Sequence, residues 1–98
     1  MIYTITQIQK IKKDSVTQLP TFGDIHCLGF FRNIEDAMLE VTKLKYKGYN
    51  FCIIEENEEG IEKKTTNRYM YKWSKDKNKY IQIDEPKLIH TVTNFGIG

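Results

Sequence analysis

The sequence has few of the residues that mark a strongly charged binding surface. Its 98 residues include 13 lysines but only 2 arginines, together with 2 histidines and 2 cysteines. The planar guanidinium of arginine binds phosphates and base edges better than the lysine ammonium does. The scarcity of arginine therefore argues against sequence-specific nucleic-acid readout. The formal net charge is only +2. That is too small for strong electrostatic attraction to nucleic acid or a membrane.

Long apolar runs are also missing. No stretch approaches the roughly 20 residues of a transmembrane helix, and the N-terminus lacks the charged start and apolar core of a signal peptide. We therefore expect a cytoplasmic chain with no membrane partner. A hydrophobic share of 40% is enough for one globular domain over residues 1–98 without a metal or disulfide. We expect Cys27 and Cys52, which lie in apolar runs, to be buried thiols.

Sequence signatures of catalysis are absent. There is no G-x-S-x-G, H-E-x-x-H, C-x-x-C or glycine-rich phosphate loop. A zinc site would have to be drawn from His26, Cys27, Cys52 and His90. Because His26 and Cys27 are adjacent in a predicted strand and point to opposite faces, at most three of the four can share a site. We therefore predict no metal site, no cofactor and no enzyme activity.

What the sequence does contain is a series of strand patterns around one helix. The segments "IYTITQIQKI", "IHCLGFF", "YNFCIIEE", "RYMYKW", "KYIQI" and "LIHTVTNFGIG" read as strands. "KKDSVTQLPTFGD" reads as a loop, and "SKDKN" as the connection of a β-hairpin. The alternation of the first segment slips between Ile5 and Ile8, which suggests a bulge or a change of face. Gly29 marks a bulge or a close backbone approach.

The helix is predicted over residues 34–47. Asn33 is a suitable N-cap, Glu35 and Asp36 place negative charge in the first turn, and Gly48 supplies a left-handed stop. The last turn then holds three lysines: Lys43, Lys45 and Lys47. One apolar face follows helical spacing and consists of Ile34, Ala37, Met38, Val41 and Leu44.

The predicted order is β-β-α-β-β-β-β. It indicates an α+β, two-layer domain in which one amphipathic helix packs on a mostly antiparallel sheet of five to six strands. The helix forms a crossover between the second and third strands. Since one helix covers one face, we expect the other face to be solvated, curled on itself or covered by a partner. A bare face or edge also makes a homodimer an option.

An aromatic ladder stands in the segment "NRYMYKW". Strand alternation places its three rings on one face and the basic residues on the other. Two interpretations remain open: a wall of the core, or a surface that stacks bases, with Arg32 also near the phosphates. The missing glycines of the RNP1 pattern favour the core. The residues of the candidate surface are Tyr69, Tyr71, Trp73, Tyr80, Arg68 and Lys72.

Acidic residues cluster in "IIEENEEGIE". A run of like charges in a loop is usually a solvated surface. Its functional interpretation is a negative patch for a basic partner, since an acidic loop can imitate nucleic acid. The candidate partner-binding residues are Glu55, Glu56, Glu58 and Glu59.

The segments "YNFCIIEENEEGI", "NRYMYKW", "YIQIDEP" and the terminal "NFGIG" resemble a family of short uncharacterised proteins of gut Firmicutes and their phages and mobile elements. The helix with "GFF" before it and "EDA" in its first turn is similar too, as is "MIYTITQI". The likeness covers residues 27–98 and the first strand. It implies a shared fold and a phage or mobile-element setting, and it transfers no catalytic residue.

The leading hypothesis is a non-enzymatic binding protein that inhibits or modulates a host defence protein by direct contact. It rests on the half-covered sheet, the acidic segment and the lack of an enzyme signature. The alternative is a nucleotide or nucleic-acid binding protein that uses the aromatic strand face. In that case the rings must be open to solvent, which is a question of structure.

Overall fold

The computed structural model describes residues 1–58, 64–86 and 89. In chain order, the elements are β1 (Ile2–Ile8), β2 (Lys12–Lys13), β3 (Pro20–Thr21), β4 (Ile25–Phe31), α1 (Ile34–Lys43), β5 (Phe51–Glu58), β6 (Lys64–Ser74) and β7 (Lys79–Ile83). The predicted hairpin is confirmed as β6 and β7, and the predicted loop between the first two long strands contains the small hairpin β2–β3. The predicted last strand lies outside the described residues except for Ile89.

The five long strands form one antiparallel sheet in the order β4-β1-β5-β6-β7. β4 and β5 both pair antiparallel with β1, so they run parallel to each other with β1 between them. α1 connects these two strands and packs against β1, β4, β5 and β7. The prediction of an α+β domain with one helix on an antiparallel sheet is therefore confirmed, and its crossover spans one intervening strand.

The helix begins as predicted and ends four residues early. The Asn33 side chain accepts a hydrogen bond from the Glu35 amide at 2.8 Å, as an N-cap should. At the other end, Leu44 is extended (ψ 139°) and its amide donates to the Val41 carbonyl. The hydroxyl of Thr42 donates to the Leu39 carbonyl at 2.6 Å and so competes with the helical bond there. Gly48 does have a left-handed φ of 97°, but it lies beyond the helix end.

The core between α1 and the sheet combines aliphatic and aromatic side chains. Its buried members are Ile5, Ala37, Val41, Cys52, Ile54, Tyr71 and Tyr80. Half-buried apolar side chains pack around them, among them Phe31, Leu44, Tyr69 and Trp73. The apolar face that the sequence predicts for the helix is thus the face that packs on the sheet.

The opposite face of the sheet has a second core, which the sequence analysis did not predict. Its buried members are Ile8, Ile53, Met70 and Ile89. Ile11 and Phe22, at the base of the β2–β3 hairpin, pack against them. Of the three states expected for this face, solvated, curled on itself or covered by a partner, the described residues show coverage by the chain itself in this region.

Coverage of both faces explains the pattern of β1. Ile5 belongs to the helix-side core and Ile8 to the second core, so both are buried although they point to opposite faces. β1 pairs with β5 without a break. The bulge lies in β4, where Ile5 pairs with Gly29 and Thr6 with Cys27, leaving Leu28 as the extra residue. Gly29 has a φ of 124° there, which confirms its predicted role.

Candidate functional site

The aromatic ladder of β6 faces the helix. Tyr69, Tyr71 and Trp73 share one face, as predicted, and Tyr80 of β7 joins them. Tyr71 is 7% exposed and Tyr80 is 4% exposed. Trp73 packs edge-on against Tyr80, with ring centroids 5.0 Å apart. These rings do not form an open platform, so the base-stacking interpretation of this strand face is not supported by their packing.

Tyr80 also anchors polar groups within the core. Its hydroxyl donates to the Tyr49 carbonyl at 2.8 Å and accepts a hydrogen bond from the Gln7 Nε2 at 3.2 Å. Burial raises the pKa of the Tyr80 hydroxyl above its ordinary value. The contacts of this tyrosine are therefore those of a structural residue that ties β7 to β1 and to the chain before β5.

Arg68 lies on the opposite face and is neutralised there. Its Nε lies 3.3 Å from a Glu55 carboxylate oxygen, and its Nη1 lies 3.0 Å from Glu85 and 3.3 Å from the Ile89 carbonyl. Glu55 is fully buried, so it does not belong to a solvated acidic patch as expected. Arg68 is likewise not placed to meet a phosphate, because two carboxylates already surround it. The cross-strand pairing of Glu55 with Arg68 depends on a register that the sequence does not give.

The remaining predicted residues are dispersed. Glu56 is half-buried and accepts a hydrogen bond from Asn67, Glu58 is exposed, and Glu59 lies outside the described residues. Lys72 is exposed, with its Nζ 6.0 Å from the centroid of the Phe51 ring. The acidic residues of the described chain therefore do not build the continuous negative surface that was expected.

The thiols and imidazoles are also separated. Cys27 is exposed rather than buried as expected, whereas Cys52 is buried in the helix-side core. Burial raises the pKa of the Cys52 thiol to about 12, which keeps it from acting as a thiolate. His90 lies outside the described residues. Within the part of the chain that the structure describes, no group of three or more His, Cys, Asp or Glu side chains is placed to hold a metal ion.

Two surfaces stand out that the sequence analysis did not single out. The first is the edge strand β4, every residue of which is exposed or half-exposed. Phe30 is 69% exposed and Ile25 is 45% exposed. The strand carries no lysine, proline or acidic residue. Natural edge strands are commonly protected by such residues, so an apolar edge of this kind indicates a contact surface.

The second surface is a groove of about 560 Å³ beside the end of α1. On one side it is lined by the last residue of the helix and the residues that follow it, including Lys43, Lys45, Lys47 and Tyr49. On the other side it is lined by Gln7, His26 and Leu28 of β1 and β4. The His26 and Tyr49 rings lie 26° from parallel, with centroids 6.2 Å apart. The volume is within the range of small-molecule sites.

No protein-family model, curated protein or solved structure matches the chain. The resemblance to proteins of Firmicutes and their mobile elements therefore stays a prediction. In the described part of the chain, no helix combines the length and apolar character needed to cross a membrane. The two surfaces just described must be interpreted from their own chemistry.

Proposed function

We propose that this protein is a non-enzymatic binding protein that modulates a host protein by direct contact through the edge strand β4. The observation that carries the proposal is the exposed apolar side chains of this strand, above all Phe30. A phenylalanine that is 69% exposed gains free energy when a partner removes it from water. Aromatic residues are also the common anchors of protein interfaces.

The position of β4 at the edge of the sheet supports the same proposal. Among the described residues, only β1 pairs with it. An edge strand can accept a partner strand, and exposed side chains such as Ile25 and Phe30 then supply specificity. The bulge at Leu28 interrupts the edge, so side-chain contacts at its two ends are favoured over one long strand pairing.

In the setting implied by the family resemblance, the target is a host defence protein, and the protein acts in the cytoplasm. Its two cysteines fit this compartment: Cys27 pairs with Thr6 and Cys52 with Gln7, so the two thiols lie on opposite faces of the sheet and do not bridge each other. Thiols persist in a reducing compartment. The alternative of base stacking on the β6 face finds no support, since its rings pack under the helix.

Co-purification with matched variants tests the proposal. The tagged wild-type chain is expected to retain one host protein at a stoichiometric ratio. Phe30→Lys should release it, because a charge replaces the most exposed ring of the contact. Leu39→Lys is the control, since Leu39 is similarly exposed but lies on α1. Retention of the partner by Phe30→Lys, or its loss with Leu39→Lys, would contradict the proposal.

The oligomeric state must be measured first, because a second copy of the chain could occupy the same edge. Light scattering coupled to size exclusion should give a monomer for both the wild type and Phe30→Lys. A wild-type dimer that Phe30→Lys converts to monomer would assign β4 to self-association. The strand would then not be available for a host protein.

A further inference from the structure

The early end of α1 determines the chemistry of the groove. In a continued helix, Lys45 would point about 200° away from Lys43, so the three lysines could not share a surface. The chain instead leaves the helix after Lys43 and is extended at Leu44. Lys43, Lys45 and Lys47 consequently all line the same groove.

The groove is a concentrated positive site on a nearly neutral protein. Three lysines line it, and none of its described lining residues carries a carboxylate. The end of a helix contributes roughly half a negative charge, which the three lysines outweigh. In contrast, Arg68 on the other face is already paired with Glu55 and Glu85. The groove thus favours an anion.

Its remaining walls suit a flat ring. His26 and Tyr49 present two nearly parallel rings, and Leu28 and Leu44 add apolar surface. Aromatic rings of this kind stack on nucleobases without regard to base identity. A ligand that satisfies both parts of the groove carries phosphate at one end and an aromatic ring at the other.

We propose that this groove binds a free nucleotide. Lys43, Lys45 and Lys47 hold its phosphates, and the base stacks against the His26 and Tyr49 rings. A single nucleotide is preferred over a nucleic-acid strand, because three lysines on a chain of net charge +2 give a small electrostatic footprint. This site is separate from the Phe30 and Ile25 contact of β4. Its test therefore does not depend on the proposed host-protein function.

Calorimetric titration at about 50 mM salt, where screening is weak, tests the site. The probes are ATP, pyrophosphate, adenosine and a short single-stranded DNA. ATP should bind, pyrophosphate should bind more weakly, and adenosine should show no measurable binding. The Lys45→Gln/Lys47→Gln double variant should raise the dissociation constant for ATP about tenfold. Lys12→Gln/Lys13→Gln is the control, because it removes the same charge from exposed residues of β2.

A Tyr49→Leu variant measures how much the Tyr49 ring contributes to nucleotide binding. It should lower the affinity for ATP to that for pyrophosphate and leave pyrophosphate binding unchanged. The proposal is overturned if ATP does not bind, if the two double variants lose equal affinity, or if pyrophosphate and ATP bind equally well to the wild type. Tighter binding of the DNA strand than of ATP would also overturn it, since the site would then belong to a polymer.

Discussion

Phe30 in β4 and Tyr71 in β6 are both aromatic residues of long strands, yet Phe30 is 69% exposed and Tyr71 is 7% exposed. The difference follows from strand order. β6 lies between β5 and β7 and meets a core on each face, whereas β4 is an edge strand with a side open to the surroundings. The same residue class is structural in one strand and available for binding in the other.

The basic residues of the same two regions also differ in their surroundings. Arg68, on the well-covered strand β6, is enclosed by Glu55 and Glu85. The lysines beside β4 line a groove whose described walls carry no carboxylate. Function in this small domain is therefore expected near β4 and the end of α1. The hairpin β6–β7, which has the more conspicuous sequence, supplies the framework.

The largest expected effect is on stability in the hairpin. Tyr71→Ala should lower the free energy of unfolding by about 3–5 kcal/mol, because it removes a large ring from the helix-side core. Phe30→Ala should change it by only about 0.5 kcal/mol, as is usual for an exposed side chain. Urea unfolding followed by Trp73 fluorescence measures both variants. Equal losses would mean that β4 belongs to the core as much as β6 does.

Much of the fold can be predicted from the sequence because its signals are local. Asn33 marks the helix start, Gly29 marks the bulge, and the alternation of β6 correctly places Tyr69, Tyr71 and Trp73 on one face. These features depend on dihedral angles and on periods of two or 3.6 residues. The predicted helix end was wrong because Gly48 was taken as the stop, whereas local bonds three residues apart at Thr42 and Leu44 accompany an earlier end.

The candidate sites could not be predicted, because they depend on contacts between distant segments. Burial of Glu55 follows from its pairing with Arg68, which is set by the β5–β6 register. The groove needs residues near position 45 to meet His26 and Gln7. The spacing of Lys43, Lys45 and Lys47 did hold a signal, since residues two apart share a surface only when the chain is extended.

A somewhat smaller loss is expected when the buried ion pair is broken. Arg68→Met should lower the free energy of unfolding by about 3 kcal/mol, because Glu55 remains buried without the arginine. Lys72→Met, on the same strand and face but exposed, should change it by less than about 0.5 kcal/mol. Adding Glu55→Leu to Arg68→Met should recover part of the loss. If Arg68→Met lowers the free energy of unfolding as little as Lys72→Met does, the second core is more open to water than its burial indicates.

The smallest effect appears only in alkaline solution, and it arises from the helix-side core. Burial raises the folded-state pKa of Cys52 from 9.0 to about 12 and raises that of Tyr80 above 10.0. Above about pH 9 the unfolded chain therefore loses protons that the folded chain keeps, so the free energy of unfolding should fall as pH rises. Cys52→Ala should flatten this fall from about pH 9, and Tyr80→Phe should flatten it from about pH 10, in unfolding curves measured across this range. If Cys52→Ala left the fall as steep as in the wild type, the burial assigned to this thiol would be wrong.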